Sequence, residues 1–439
     1  MNALRNLSLV IGVTFAEVIS CAAQEVPNYC QVSPNRFDAA EWPSKHAWNL
    51  FVQLNHPAID KRKRRGVADC TKAIGTPGTT AIWETWRNAA TEVFLPVEPP
   101  EWDDNSLPDE RPGIVPSPGA ATMSALPSSA DPDNASGMVS FHALRGLAGI
   151  SPAFSPGDGV FDNRGGFGET RLNKITYNFV RDECLYNRQA TERYAQAIVD
   201  RKKGPINLPA DSIEVKAAWV DFEKEGTPAI RRGTFYTATY KGRQYGLATL
   251  HIITKDIPNW FWASFHHVDT KKNEWEIPDT FGRPTILKGT VWENYALGGA
   301  QTDFVTSTGE RTLLSDHYVE FGFQKSSCIT CHSTASIATT SIKLGVGMPL
   351  GQVRAVCLVD VNESHPFAKP NTCKRWAGEH LYKVLDGKVV LIEERGAPLR
   401  QWFLKDGNQV YFQTDFLFSI PFRSGQVEEQ GAVPDRCKW

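Results

Sequence analysis

Ile213-Glu-Val-Lys-Ala-Ala-Trp-Val-Asp-Phe222 marks the point where this 439-residue chain changes its period. The run is rich in β-branched and aromatic residues. Thr234 to Tyr240, Tyr245 to Ile253 and Trp260 to Val268 repeat the pattern between turn residues. Such runs read as strands, because branched and aromatic side chains pack well on a pleated surface. Lys241-Gly242, between two of them, predicts a hairpin. Along Tyr245 to Ile253, alternation puts His251 on one face with Leu247, Thr249 and Ile253; along Trp260 to Val268 it puts His267 with Phe261, Ala263 and Phe265.

Upstream the pattern is helical. Trp48, Leu50, Phe51 and Leu54 mark a helix over 38 to 56, stopping near His56-Pro57. Ile82, Trp86, Ala89 and Val93 predict a second from Ile82 to Phe94, and Tyr194 with Ile198 a third over 190 to 203, closed by Gly204-Pro205. Pro96 to Gly137 holds nine prolines between 96 and 132 among many Ser, Asp and Asn; it cannot build a core and reads as a long loop or interaction flap. Downstream, Val353 to Val361, Lys388 to Glu393 and Gln409 to Phe418 look like further strands. The expected fold class is α+β, with a helical N-terminal part and antiparallel β-rich middle and C-terminal parts. The expected boundaries are a helical region over 24–95, the proline-rich loop over 96–137, an α+β region over 138–310 and a C-terminal region with strands over 311–439.

Between the two β-rich parts stands Cys328-Ile-Thr-Cys331-His332. Two thiols at this spacing can add to the two vinyl groups of one porphyrin, and the histidine after the second is carried under the ring to bind its iron. With 9 Cys and 10 His in the chain, chance gives the pattern an expectation of roughly 0.004, so accident explains it poorly. A zinc site would need a second ligand pair, and Cys357 with Cys373, 16 apart, makes a poor one. A thioredoxin-like pair would want a βαβ context and has no use for His332. The motif therefore predicts one covalent haem c, held by Cys328 and Cys331 with His332 as proximal ligand. His332 is expected to donate its other ring N–H to a carbonyl or carboxylate, which fixes its tautomer.

The N-terminus fits that chemistry. Arg5 precedes the apolar run Leu7 to Ala16, followed by small residues at Ser20 to Ala23, the layout of a secretory signal peptide over 1–23. Haem c is attached outside the bacterial inner membrane, so a periplasmic or otherwise exported chain is expected. Val18-Ile19-Ser20-Cys21 also fits a lipoprotein box, which would leave a lipid anchor on Cys21; no later stretch is apolar enough for a transmembrane span. Cys30, Cys70, Cys184, Cys357, Cys373 and Cys437 remain, an even number that an oxidising compartment can pair in any of fifteen ways. A hydrophobic content of 41% and 13 Trp suit a packed core, and a net charge of −2 argues against nucleic acid. The one basic run, Lys61 to Arg65, reads as a solvated loop.

Several stretches together resemble the large, exported, single-haem bacterial "cytochrome c family" proteins: Trp48 to Asn55, Ile82 to Trp86, Ser212 to Trp219, Leu250 to Lys255, Trp260 to Phe265 and Cys328 to His332. The resemblance spans most of the chain beyond its first segment. It implies a periplasmic haem protein but no substrate, since the family's biochemical role is not established. The proline-rich loop and His266 look particular to this chain.

The sixth ligand then decides between functions. Met348, in Gly345-Val-Gly-Met-Pro349, is one candidate for it, and His251 is its rival. His267 is a third candidate, as ligand or distal hydrogen-bond donor. Two protein ligands favour one-electron transfer with a redox partner protein, not identified by the sequence. An open iron would favour a haem enzyme of peroxidase-like or small-oxidant-reducing type, with His251 or His267 as acid/base group, or a gas-binding sensor. Trp260 and Trp262 read as ordinary packing.

Overall fold

The computed structural model describes residues 30, 35–107, 138–139, 167–225, 229–240, 242–270, 275–310, 312–316, 318–319, 327–333, 335–339, 348–349, 382–385, 388–391, 397–398, 400–405, 407–424 and 431–439. Its centre is an antiparallel sheet of β1 (Arg87–Asn88), β2 (Phe167–Leu172), β3 (Ile213–Asp221), β4 (Thr237–Tyr240), β5 (Arg243–Thr254), β6 (Phe261–His267) and β7 (Tyr295–Gln301), in the order β1-β2-β3-β5-β6-β7. β5 is the axis. β3 pairs along one side of it, while on the other β4 takes Arg243 to Gly246 and β6 takes Thr249 to Thr254. The hairpin expected at Lys241-Gly242 is present, with Tyr240 opposite Arg243 and Gly242 at φ 75°, a left-handed conformation that suits glycine.

The two faces of the sheet receive different ends of the chain. Helix α1 (Pro43–Leu54) lies on the face carrying Phe261, Ala263 and Phe265; Phe51 meets the Phe265 ring at 4.3 Å and Trp48 meets it at 5.1 Å. All three aromatics are buried, and each such pair adds about 0.5–1.5 kcal/mol beyond the burial itself. The opposite face carries Glu214 and Lys216 of β3, Thr249 and His251 of β5, Trp262, Ser264 and His266 of β6, and Gln301 of β7. The C-terminal part of the chain packs there.

A register shift between Ala218 and Trp219 corrects one expected face. Trp219 pairs with Leu247, and Ala217 pairs with Leu250. Since Ala217 and Trp219 share a face, so do Leu247 and Leu250, and the extra residue in β5 turns Leu247 away from His251.

Helix α2 (Lys174–Asp182) packs on β2 and β3, and α3 (Arg188–Val199) on the Ser336–Ala338 strand; each is started by an asparagine whose side chain accepts a backbone N–H, Asn173 from Thr176 and Asn187 from Ala190. The helix expected from Ile82 to Phe94 does not form. Ile82–Thr85 makes a tight turn, Arg87–Asn88 pairs with β2 as the sheet edge, and Ala89–Val93 makes one wide helical turn. Asn88 stops any continuous helix by accepting from the Ala90 and Thr91 N–H groups, while the buried Arg87 guanidinium is held by Glu92 and by the Trp102 and Asp104 carbonyls. Of the strands expected downstream, Lys388–Leu391 forms a hairpin with Tyr382–Leu385, Gln409 to Phe418 shortens to Tyr411–Gln413 and a turn, and Val353 to Val361 lies outside the described residues.

Cys30 bonds Cys70 and Cys184 bonds Cys437, the latter tying the segment after α2 to the C-terminus. Cys357 and Cys373 lie outside the described residues. Among the described residues, no helix is long and apolar enough to cross a membrane.

Candidate functional site

Cys328-Ile-Thr-Cys331-His332 forms one helical turn, α4 (Cys328–His332). The residue before it explains the start: Ser327 Oγ accepts the Thr330 N–H at 3.3 Å, a serine N-cap. Gln301 of β7 then clamps that cap to the sheet. Its Nε2 donates to Ser327 Oγ at 2.8 Å, and its Oε1 accepts the Ile329 N–H at 3.0 Å. Cys328 is half-buried with its thiol against the Leu314 carbonyl at 3.3 Å. Positions 328 and 331 lie one helical turn apart; the Cys331 side chain lies outside the described residues.

His332, at the end of this turn, rests between aromatic rings, with Trp262 at 4.6 Å and Phe418 at 4.9 Å. Its Nδ1 is 2.8 Å from the Phe416 carbonyl, 84 residues away. A carbonyl only accepts, so Nδ1 carries the proton and Nε2 carries the lone pair. Burial pushes the imidazole down to about 4, outweighing the Phe416 carbonyl, so it is neutral near pH 7. Among the described residues, Nε2 has no hydrogen-bond partner.

His251 comes to the same face of the sheet. Burial, then the charges of Lys216 and His332, push it down to about 3. Its Nε2 is sealed from solvent and has no hydrogen-bond partner, an orphaned ring nitrogen that a buried imidazole rarely keeps without cause. Lys216 stands directly across the strand from it, and Thr249 lies one alternation away. Asp316 reaches this face from the segment before the motif, accepting the Tyr318 and Val319 N–H groups; burial pushes it up to about 6. Glu214, also raised by burial, accepts from Ser419 Oγ at 2.6 Å beside Arg423.

His267 goes elsewhere. Strand alternation turns it onto the α1 side, stacked on Phe235 at 3.5 Å, with Nε2 donating to the Thr234 carbonyl and Nδ1 accepting the Asp269 N–H. Both nitrogens are engaged, so its role there is structural. Its neighbour His266 is the one that faces the motif side, with Nε2 4.0 Å from Glu276. Met348 pairs through its backbone with Val139, beside the Ser336–Ala338 strand; its side chain lies outside the described residues. Trp262 packs on His332, while Trp260 sits at φ 59° and donates to Asp415.

Residues this site uses that the motif alone does not reveal are Gln301, Asp415 and Phe416. Only Ser327, a capping residue directly ahead of the motif, carried a local signal. Among the described residues, no group of three or more His, Cys, Asp or Glu is arranged to hold a bare metal ion. An iron inside a porphyrin asks the protein only for axial ligands, and two neutral imidazoles, His332 on the motif turn and His251 on the sheet face that receives it, suit that demand. Comparison with known proteins found no matching family model, curated relative or solved structure.

Proposed function

We propose that this chain is an exported mono-haem c-type cytochrome that passes single electrons to a partner protein. Cys328 and Cys331 would hold the porphyrin, His332 would be the proximal ligand and His251 the distal one. The observation that carries the reading is the His332–Phe416 bond, which fixes the tautomer with Nε2 unprotonated, the state an iron ligand needs. His251 supplies a second neutral imidazole with a buried, unpartnered Nε2. Bound haem supplies a one-electron Fe(III)/Fe(II) couple.

The chain's own residues do the rest. Gln301 and Ser327 set the motif turn against β7, and the Phe416 carbonyl orients the His332 ring. Trp262 and Phe418 shield that ring from water. Burial, helped by the charge of Lys216 across the strand, keeps His251 unprotonated. The two disulfides suit an oxidising compartment and so the exported location.

A second reading has one specific support. Asp316, pushed up to about 6, shares its face with His251 and could exchange a proton near neutral pH. That would suit a haem enzyme in which His251 is an acid/base group. Carbon monoxide separates the two. Ferrous protein matured with haem should keep its low-spin spectrum under carbon monoxide; rapid binding, with turnover of hydrogen peroxide by an artificial donor, would replace the electron carrier by the enzyme.

A further inference from the structure

We propose that Asp415 is a positioning residue for His332, holding the Phe416 carbonyl on Nδ1 and thereby setting the redox potential; this rests on the haem reading above. Asp415 and Phe416 are the central residues of a turn closed by Leu417 N–H on the Thr414 carbonyl at 3.1 Å. Both lie in the left-handed region, at φ 48° and 69°. Side chains with a Cβ avoid that region, and two in succession persist only where surrounding bonds impose it.

The imposing bonds converge on the Asp415 carboxylate. Oδ1 accepts from Lys255 Nζ at 2.6 Å and from Trp260 Nε1 at 3.2 Å, and Oδ2 accepts the Leu208 N–H at 2.7 Å. Two segments distant in sequence, at Leu208 and at the Lys255–Trp260 connection, are therefore tied to one side chain. Thr414 adds two further ties, from its N–H to the Ala335 carbonyl and from Oγ1 to the Leu417 carbonyl. The ion pair is shielded, with the side chains 11% and 8% exposed, so its loss cannot be replaced cheaply by water. Asp415 and Phe416 also wall a cavity of about 320 Å³ shared with Ile198, Ile206 and Phe412. A loosened turn has room there to swing its carbonyl away and hydrate it.

The consequence follows from imidazole electronics. A firm Nδ1–H···O bond raises the electron-donating power of Nε2, which favours the oxidised iron and lowers the potential. Without the Asp415 ties the bond lengthens, and the potential rises.

The test compares wild type, Asp415→Asn and Lys255→Met, each matured with haem, by potentiometric titration and by hydrogen exchange at the Leu417 amide. The expected result is full haem attachment in all three, faster Leu417 exchange in both variants, and a positive shift near tenfold in the reduced-to-oxidised ratio at fixed poise, about 59 mV for one electron. Lys255→Arg, which keeps the cation, should restore both readouts. Faster exchange with an unchanged potential overturns the proposal, and so does unchanged exchange. If Asp415→Asn does not fold, Lys255→Met, with the carboxylate intact, decides alone. Wild-type chain matured without attached haem overturns the haem reading itself, and the proposal falls with it.

Discussion

Lys216 and His251 stand directly opposite each other on adjacent antiparallel strands, on the sheet face that receives the motif turn. A cation across the strand and burial act in the same direction, and together they keep His251 neutral far below its usual range. The imidazole is left with a sealed, unpartnered Nε2. An unpartnered buried nitrogen costs stability in the unliganded chain, and a group that engaged it would offset that cost.

His251→Ala should therefore convert a carbon-monoxide-insensitive ferrous protein into one that binds the gas rapidly, with loss of the low-spin spectrum. Met348→Ala should leave both unchanged. Stopped-flow spectra of the two variants check this, and the opposite pattern would make the thioether of Met348 the distal ligand.

Acid should destabilise the chain through His267, independently of haem. Thr234 fixes its Nε2–H and Asp269 occupies Nδ1, so a second proton has no place, and burial pushes the group down to about 4 from 6.5. Because its folded pKa lies below its unfolded one, its contribution is complete above pH 6.5 and disappears as the pH falls towards 4. At pH 5 the loss is about 2 kcal/mol. Urea unfolding at pH 7 and pH 5 should show a loss of stability in wild type that is smaller by about 2 kcal/mol in His267→Phe. Equal pH dependence in the two would contradict the assignment.

Removing the Cys184–Cys437 bridge by a double serine substitution should destabilise the chain by about 2–5 kcal/mol, since the bond closes a very long loop. Thermal unfolding with and without reductant measures it. A reductant-insensitive wild type would show that the bridge does not form.

How much was legible in sequence divides by range. β3, β4, β5 and β6 were readable because their branched and aromatic residues crowd into short runs, and Lys241-Gly242 set the hairpin between β4 and β5. β7 was not, because Tyr295–Gln301 contains Gly298-Gly299, which weakens any strand signal. The Ile82 to Phe94 helix was expected from spacing alone, and the side chain of Asn88 overrode that spacing. In the site, the motif is local and therefore visible, and strict alternation placed His267 on the Phe261 face. The face of Leu247 depended on a bulge that no periodicity announces. Phe416 and Gln301 reach His332 and the motif from 84 and 28 residues away, and only the folded chain brings them there.

The most direct measurement is the intact mass of the tryptic fragment spanning Cys328 to His332, from chain exported in a host competent for haem attachment. Our account predicts that fragment at its own mass plus one haem, bonded through both Cys328 and Cys331. The same fragment recovered with two free or mutually oxidised cysteines and no porphyrin would contradict it.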